Sequence, residues 1–212
     1  MTEAMAVTHA ITWLKEEKLD KTEMMLVGDP LDVEMFQCTE WILDEENTTE
    51  FIAQRMYPKD ASSEYRLSLL RRFDFTSQLM RASSIVMYDI DNTYRGFVKG
   101  APEKLKELCK EHTIPADFDA VNEFYTKNGY RVIALGTKVL EGMTEAAAHK
   151  YERETVESDL EFIGFLVMEN KLKPETSAVI KTLQQAEIRT VMATGDNILT
   201  AMSVAAQCNV IS

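Results

Sequence analysis

The sequence predicts an α+β fold in which an antiparallel sheet is flanked by helices, with a partial α/β segment after it. Short strand-like stretches lie at residues 65–75, 84–89 and 93–98. The last two are joined by residues 90–92, an Ile-Asp-Asn turn that favours a hairpin. Because strands joined by tight turns pair antiparallel, we expect the first part of the chain to form one such sheet.

The last quarter of the chain predicts a different architecture. Residues 162–168 form a continuous apolar run, as expected for a strand buried on both faces. A helix beginning at residues 173–175, a second buried strand at 189–193 and a helix at 198–207 follow it. This strand-helix-strand-helix order is typical of a parallel Rossmann-like unit. We therefore predict two domains, residues 1–158 and residues 159–212.

The first forty residues predict two helices. Apolar residues within 3–17 recur at roughly helical spacing, which indicates an amphipathic opening helix. Asp29 is placed to cap a second helix, and Pro30 suits its first position. Asp32 then occupies the third position, where we expect its side chain to face free backbone N–H groups.

The middle of the chain alternates between strands, loops and helices. We predict a short strand at 41–43 and, after it, an acidic surface loop over residues 44–63 with a single helical turn. Helices are predicted at 101–109 and 118–127, the second ending at Gly129, and a further strand at 131–138.

Composition excludes several classes of protein. The chain has 212 residues and a formal net charge of −12, which argues against nucleic acid and anionic lipid as general partners. The longest apolar run, 162–168, is far shorter than the roughly 20 residues of a membrane span, so no direct membrane contact is expected. The three cysteines form no CxxC pair, which makes a disulfide framework or a zinc site improbable.

The sharpest candidate for chemistry is the Thr-Gly-Asp-Asn turn at residues 194–197. A polar turn between a parallel strand and a helix is where such sheets bind phosphate, and the Thr194 hydroxyl and the Gly195 amide can both donate to phosphoryl oxygens. Asp196 can orient a basic partner or a water molecule. The same four residues also suit an ordinary turn in which Asp or Asn caps the helix.

Two further clusters favour a ligand with a flat base. Lys99 and Gly100 precede a Pro-initiated helix, and a glycine at a strand end lets a ligand approach the backbone. Phe75, followed by hydroxyl side chains, can stack on a base, while Asp32 can accept from an exocyclic amine. Arg131 can meet a phosphate. Each also has a purely structural interpretation. Lys99 and Gly100 suit a strand-to-helix turn, and Phe75 suits a ring in the core. Asp32 suits a helix cap, and Arg131 suits an exposed ion pair.

The order and spacing of these motifs resemble the cytosolic region of a P-type ATPase from about residue 4 to residue 210. KGAPE followed some ninety residues later by MATGDN is specific in combination, and residues 169–173 are similar to those of the type V pumps, group B. The motifs are, in order, GDPLD at 28–32, FDFTS at 73–77, KGAPE at 99–103, GYRVIAL at 129–135 and TGDN at 194–197.

The resemblance implies roles for particular residues of a nucleotide-binding domain. Phe75 matches the ring that stacks on adenine, and Asp32 matches an acidic position near the adenine amino group. Lys99 and Gly100 match positions that line the adenine pocket. Arg131 matches an arginine that meets the β-phosphate, and Arg81 matches a basic residue on the rim of the pocket.

The second domain then resembles part of a phosphorylation domain of haloacid-dehalogenase type. Thr194 and Gly195 match the pair that contacts the transferring phosphoryl group, and Asp196 matches the neighbouring acid. Asn170 stands where many such pumps carry an Asp that contacts the ribose. Lys173 stands in place of an Arg, so a point charge replaces a bidentate contact.

The resemblance also implies what the chain would need from elsewhere. The phosphorylated Asp belongs to a DKTGT motif expected before residue 1, and the Mg²⁺-binding motif is expected after residue 212. The chain should therefore bind ATP without turning it over, with no metal site of its own. Its implied partners are the remaining phosphorylation, actuator and transmembrane domains of one pump. The implied location is the cytosolic face of an endosomal, lysosomal or other endomembrane, and the implied cargo is a cation or polyamine.

Two other functions are compatible with parts of the sequence. The turn at residues 194–197 suits a fragment of a soluble haloacid-dehalogenase-type phosphatase, although no strand ends in the DxD pair that such an enzyme needs. The acidic segment 44–63 suits a non-catalytic interaction module that docks a basic partner. Substitution of Phe75 or Lys99 separates these possibilities, because only nucleotide binding should depend on those residues.

Overall fold

The computed structural model describes residues 1–18, 21–60, 65–169, 172–195 and 198–211. The helices are α1 (Thr2–Val7), α2 (Pro30–Gln37), α3 (Pro102–Leu108), α4 (Phe118–Lys127), α5 (Glu145–Ala148), α6 (Arg153–Val156), α7 (Thr176–Gln185) and α8 (Ile198–Gln207), with a 3₁₀ turn at Glu111–Thr113. The strands are β1 (Thr12–Lys18), β2 (Lys21–Val27), β3 (Trp41–Asp44), β4 (Gln54–Pro58), β5 (Leu67–Thr76), β6 (Arg81–Tyr88), β7 (Thr93–Gly100), β8 (Tyr130–Val139) and β9 (Glu161–Glu169).

A seven-stranded sheet organises the fold, with strands in the order β3-β4-β5-β6-β7-β8-β9. Neighbouring strands from β3 to β8 pair antiparallel, and β6 and β7 form the predicted hairpin, with Tyr88 opposite Thr93. Helices flank the sheet. The predicted α+β class with an antiparallel sheet is therefore confirmed.

Both faces of the sheet are covered by apolar side chains. On one face a cluster buries the side chains of Ile52, Leu70, Ile85, Met87, Leu140, Met143, Ala148 and Val156. On the other face α1 and α2 contribute buried residues such as Val7, Met35 and Phe36. Each large side chain buried in this way stabilises the fold by about 1.5–3 kcal/mol, so the two clusters fix the sheet between its helices.

The predicted opening helix over residues 3–17 is wrong beyond its first turns. The helix ends at Val7, and the Thr8 hydroxyl donates to the carbonyl oxygen of Ala4 at 2.6 Å. The chain then forms the two-stranded ribbon β1–β2, in which Trp13 lies opposite Leu26. The Trp13 indole N–H also donates to the Leu43 carbonyl oxygen at 2.9 Å. Pairing with β2 satisfies the backbone groups on one edge of this segment, and a local helical pattern cannot reveal such a partner.

The predicted acidic loop over residues 44–63 contains a strand. β4 pairs with both β3 and β5, and its Met56 and Gln54 side chains are buried. Residues 61–63 of the predicted loop lie outside the described residues. Two buried residues on one face, Gln54 and Met56, are too few to predict a strand from sequence. The strand forms because neighbouring strands supply hydrogen bonds on both of its edges.

The C-terminal helices form as predicted, but one predicted strand does not. α7 and α8 are present, whereas residues 189–193 have no strand partner among the described residues, and Val191 is 76% exposed. A strand forms only where a neighbour satisfies its backbone groups. β9 is present, but its residues 162–168 are half-buried and not buried on both faces as predicted.

The chain forms two compact units. One comprises Met1–Ile114 with Ala134–Gly164, and the other comprises Pro115–Ile133 with Phe165–Ser212. The second unit contains α4, α7 and α8. The predicted domains, 1–158 and 159–212, stay a prediction. Among the described helices, none has the length and apolar character that a bilayer crossing requires.

Candidate nucleotide site

Three adjacent strands bring the predicted base-binding residues to the same end of the sheet. Thr76 of β5 lies opposite Arg81 of β6, and Arg81 lies opposite Gly100 of β7. Phe75 and Lys99 are the immediate chain neighbours of Thr76 and Gly100. Because adjacent strands are about 4.8 Å apart, β5 and β7 are separated by roughly 10 Å at this edge.

The exposure of Phe75 follows from an irregularity in β5. Between the pairs Phe73–Ser83 and Thr76–Arg81, β5 advances by one residue more than β6, which is a β-bulge. A bulge bends the strand and redirects side chains, and Phe75 is 59% exposed. An exposed ring at a strand end can stack on a flat ligand. The sequence predicted this residue but not the bulge that exposes it.

The structure pairs two of the predicted residues directly. The Lys99 ammonium group donates to Asp32 Oδ1, and the two residues are 7% and 8% exposed. The second carboxylate oxygen, Oδ2, accepts from the backbone N–H of Ala10 at 3.1 Å. Asp29 caps α2 as predicted and accepts from the Leu31 N–H at 2.9 Å. Asp32 was predicted to face the free N–H groups of α2 but binds Ala10 instead, because its side chain turns towards the sheet.

The close approach of a turn explains why residue 100 is glycine. A Cβ atom at position 100 would lie 2.7 Å from the Arg81 Cβ and 2.8 Å from the Met80 carbonyl oxygen. Met80 has a φ of 51° in the turn that joins β5 to β6, and its carbonyl oxygen accepts from the Ala101 N–H at 3.0 Å. The turn thus lies against the end of β7, where a side chain would displace it.

Arg81 lies on the opposite face of the sheet from Lys99. Lys99 is opposite Ala82, the next residue along β6, and adjacent residues of a strand point to opposite faces. Arg81 pairs with Glu157, which is 1% exposed. The same carboxylate accepts from Ser83 Oγ at 2.7 Å and from Arg153 Nε at 2.8 Å.

The Arg153 guanidinium connects this buried cluster to the bulge. It donates to the Asp74 carbonyl oxygen at 3.1 Å and to the Arg81 carbonyl oxygen at 2.7 Å. Bulges leave backbone groups without ladder partners, and a guanidinium fork is suited to bind two such carbonyl groups at once. Arg153 therefore holds the segment that carries Phe75. No sequence motif indicated this role.

A buried histidine next to the Lys99–Asp32 pair was missed by the sequence analysis. His9 is 1% exposed and packs edge-on against Phe36, with ring centroids 4.9 Å apart. Its Nδ1 accepts from the Ile11 N–H at 3.3 Å. Burial, with a smaller repulsive contribution from Lys99, lowers the pKa of His9 to about 4, so the ring is neutral at pH 7. A single histidine in an apolar segment gives no sequence signal for this environment.

The remaining predicted residues belong to the second unit or lie outside the described residues. Arg131, Lys173, Thr194 and Gly195 are all exposed. Asn170 and Asp196 lie outside the described residues. Gly129 follows α4 as predicted, with a φ of 83°. A Cβ atom there would lie 2.6 Å from Ser203 Oγ of α8, so the end of α4 approaches α8 closely at this glycine.

Two cavities lie away from the predicted residues. One of about 300 Å³ is lined by Glu45, Ala53, Gln54, Leu69, Leu70, Arg71 and Arg72. The other, of about 650 Å³, lies between residues 184–192 and the C-terminal residues 205, 210 and 211. Among the described residues, no group of three or more His, Cys, Asp or Glu side chains is arranged to hold a metal ion.

Comparison with known proteins gives a consistent result. Residues 15–175 match the family model described as P-type ATPase, cytoplasmic domain N. The chain is 42% identical, over 88% of its length, to the vacuolar cation-transporting ATPase YPK9 of Saccharomyces cerevisiae. It is 37% identical over 98% of its length to the human polyamine-transporting ATPase 13A3, and 38% identical over 99% to the human polyamine-transporting ATPase 13A2.

The chain spans only 15–18% of the length of these relatives. The similarity therefore concerns one region of much longer proteins. Within that region the match covers the sheet and the motifs at its end. The chain belongs to the P-type ATPase family and contains its cytoplasmic N domain.

Proposed function

We propose that this chain binds ATP and presents it for phosphorylation of an Asp that lies outside the chain, as part of a P-type pump. The observation that carries the proposal is the convergence of Phe75, Lys99 and Gly100 at one end of the sheet, with the Phe75 ring exposed. An exposed aromatic ring, a cation and a backbone approachable at a glycine are the features that a purine nucleotide requires.

In this proposal the first unit holds the base. Phe75 stacks on adenine, Lys99 and Gly100 line the pocket, and Asp32 lies beside Lys99. Arg81 is assigned to the rim through its position at the start of β6, although its side chain pairs with Glu157 on the other face.

Residues of the second unit are proposed to act on the phosphates and the ribose. Arg131 binds the β-phosphate, and Thr194 with Gly195 contacts the transferring phosphoryl group, next to Asp196. Asn170 is assigned to the ribose and to the hinge, and Lys173 is assigned to a phosphate as a point charge. Arg131, Lys173, Thr194 and Gly195 are exposed, as a residue that meets a phosphate must be.

Phosphoryl transfer depends on positioning and on charge stabilisation, and this chain is proposed to contribute only the positioning. We therefore expect ATP binding without turnover by the chain alone. Mg²⁺ would accompany the nucleotide in the whole pump.

The whole protein is proposed to transport a cation or a polyamine across an endomembrane, with this chain on the cytosolic face. The support is the similarity to relatives named for transport, a cation-transporting vacuolar ATPase of yeast and polyamine-transporting ATPases of human. Uptake of radiolabelled spermine by vesicles that contain the full-length pump tests the cargo. No ATP-dependent uptake of polyamine or inorganic cation would contradict it.

The match to the N-domain family model favours this proposal over a phosphatase fragment. The acidic segment also offers less for docking than the sequence suggested, because β4 occupies part of it within the sheet.

Nuclear magnetic resonance of the isolated chain during titration with ATP tests the binding proposal. We expect amide shifts to cluster around Phe75, Lys99 and Gly100, with affinity of roughly millimolar to tens of micromolar. Shifts confined to the acidic segment 44–63, or no shifts at several millimolar ATP, would contradict it.

A further inference from the structure

The carboxylate of Asp32 has a protein donor on each of its two oxygens. Oδ1 accepts from the Lys99 ammonium group, and Oδ2 accepts from the Ala10 N–H at 3.1 Å. The Asp32 side chain is 12% exposed and that of Lys99 is 9% exposed. An acidic side chain that is to accept from the amino group of a base would have to use a remaining lone pair on one of these oxygens, both of which already bind the protein.

The segment that meets Asp32 is itself held in place. The His9 carbonyl oxygen accepts from Arg72 Nη1 at 3.2 Å, and the Ile11 carbonyl oxygen accepts from Gln54 Nε2 at 2.9 Å. Asp32 binds the Ala10 N–H between these two contacts. The carboxylate is therefore anchored to a fixed backbone segment and cannot turn towards a ligand without breaking this partly buried hydrogen bond.

Charge favours the internal pair over a contact with a base. A buried ammonium group that loses a carboxylate partner keeps its desolvation penalty, whereas an exocyclic amine is neutral and gives a weaker hydrogen bond. The ring of His9, neutral at pH 7 because its pKa is lowered to about 4, adds no competing charge next to Lys99. The pair should therefore persist when a nucleotide binds.

We propose that Asp32 is a positioning residue, which fixes the Lys99 side chain at the site and does not accept from the 6-amino group of the base. The proposal rests on the proposed nucleotide binding. It predicts that the carboxylate of Asp32 contributes nothing to discrimination between adenine and a 6-oxo purine, although its loss weakens binding of both.

The test compares the affinities of ATP and inosine triphosphate for four proteins: the unaltered chain, Asp32→Asn, Lys99→Met and the double variant. Inosine triphosphate differs from ATP in carrying an oxygen in place of the 6-amino group. Asp29→Asn is the matched control, because Asp29 lies at the start of the same helix and its substitution removes the same charge without touching Lys99. Thermal unfolding checks that each variant is folded.

We expect Asp32→Asn to weaken both nucleotides by the same factor, about tenfold, and Asp29→Asn to change either by less than about twofold. The double variant should bind as Lys99→Met does, because a residue that acts through Lys99 has no effect once Lys99 is gone. Equal loss for both nucleotides together with this non-additivity supports the proposal.

A selective loss of ATP in Asp32→Asn, with inosine triphosphate unchanged or improved, would overturn it while leaving the proposed nucleotide binding intact. Absence of binding for both nucleotides to the unaltered chain would overturn both proposals. If Asp32→Asn does not fold, the ratio of the affinities of the unaltered chain for ATP and inosine triphosphate tests the proposal. Affinities within about threefold support the positioning role, and a preference for ATP of tenfold or more contradicts it.

Discussion

At the scale of single residues, the candidate site depends on contacts that distant parts of the sequence make with each other. Lys99 and Asp32 were each predicted from local motifs, but they are 67 residues apart, and no local pattern indicates that they pair. Gly100 was predicted for its freedom to admit a ligand. The structure adds a second reason, which is the approach of the turn at Met80 and Arg81.

Gly100→Ala tests that second reason. The added Cβ would lie 2.7–2.8 Å from backbone-anchored atoms of the turn, so we expect a loss of about 1–3 kcal/mol in the free energy of unfolding, measured with urea. Gly195→Ala is the control, because no heavy atom lies within 4 Å of a Cβ built there. Equal stability of the two variants would show that the turn does not restrict position 100.

His9 gives the chain a predicted dependence of stability on pH. Its pKa is lowered to about 4 in the folded state, so between pH 6.5 and 4 the unfolded state binds more protons than the folded state. Stability is therefore highest above pH 6.5 and falls with pH, by about 2 kcal/mol between pH 6.5 and 5. Urea unfolding across this range measures it.

His9→Asn should flatten that pH dependence, since Asn cannot titrate yet can still accept from the Ile11 N–H. His112→Asn is the control, because His112 is exposed in the 3₁₀ turn. An unchanged slope in His9→Asn would assign the pH dependence to other groups.

At the scale of elements, the sequence predicts those whose signals are local. The cap of α2, the β6–β7 hairpin and the glycine after α4 all follow from adjacent residues. β1, β4 and the segment 189–193 were assigned wrongly because their state depends on partners. β1 pairs with β2, β4 lies between two strands, and 189–193 has no strand partner among the described residues.

The bulge in β5 is the element-scale feature on which Phe75 depends, and Arg153 is its main external support. Arg153→Met would leave the Asp74 and Arg81 carbonyl groups without this donor and would leave buried Glu157 with Arg81 and Ser83 as partners. We expect a loss of about 1–3 kcal/mol in stability, because the two carbonyl groups and one carboxylate oxygen lose a charged donor while Glu157 keeps its ion pair with Arg81. Hydrogen exchange should also rise in the turn at 76–81.

Lys127→Met is the matched control for Arg153→Met. Lys127 pairs with Glu123 one helical turn earlier, and both side chains are more than half exposed. Such a pair contributes little, so we expect a change below about 1 kcal/mol. Comparable losses in the two variants would contradict a special role for the buried cluster.

At the scale of the whole molecule, a strongly acidic chain is proposed to bind a polyanion. With a net charge of −12 the long-range field repels ATP, so binding must rest on contacts at one edge of the sheet. The motif order predicted the family and the residues proposed to bind the nucleotide. The assignment of Lys99 and Arg81 to opposite faces of the sheet required the pairing register of β6 and β7, which the sequence does not show.

The most direct test of this account is the dissociation constant of ATP for the unaltered chain and for Phe75→Ala, with Phe124→Ala as the control. Phe75 and Phe124 are exposed to nearly the same extent, 59% and 61%. Stacking of a base on an aromatic ring contributes about 1–3 kcal/mol, so Phe75→Ala should bind ATP roughly 5- to 150-fold more weakly, and Phe124→Ala should bind it unchanged. Equal affinities for all three proteins would contradict the proposed nucleotide site.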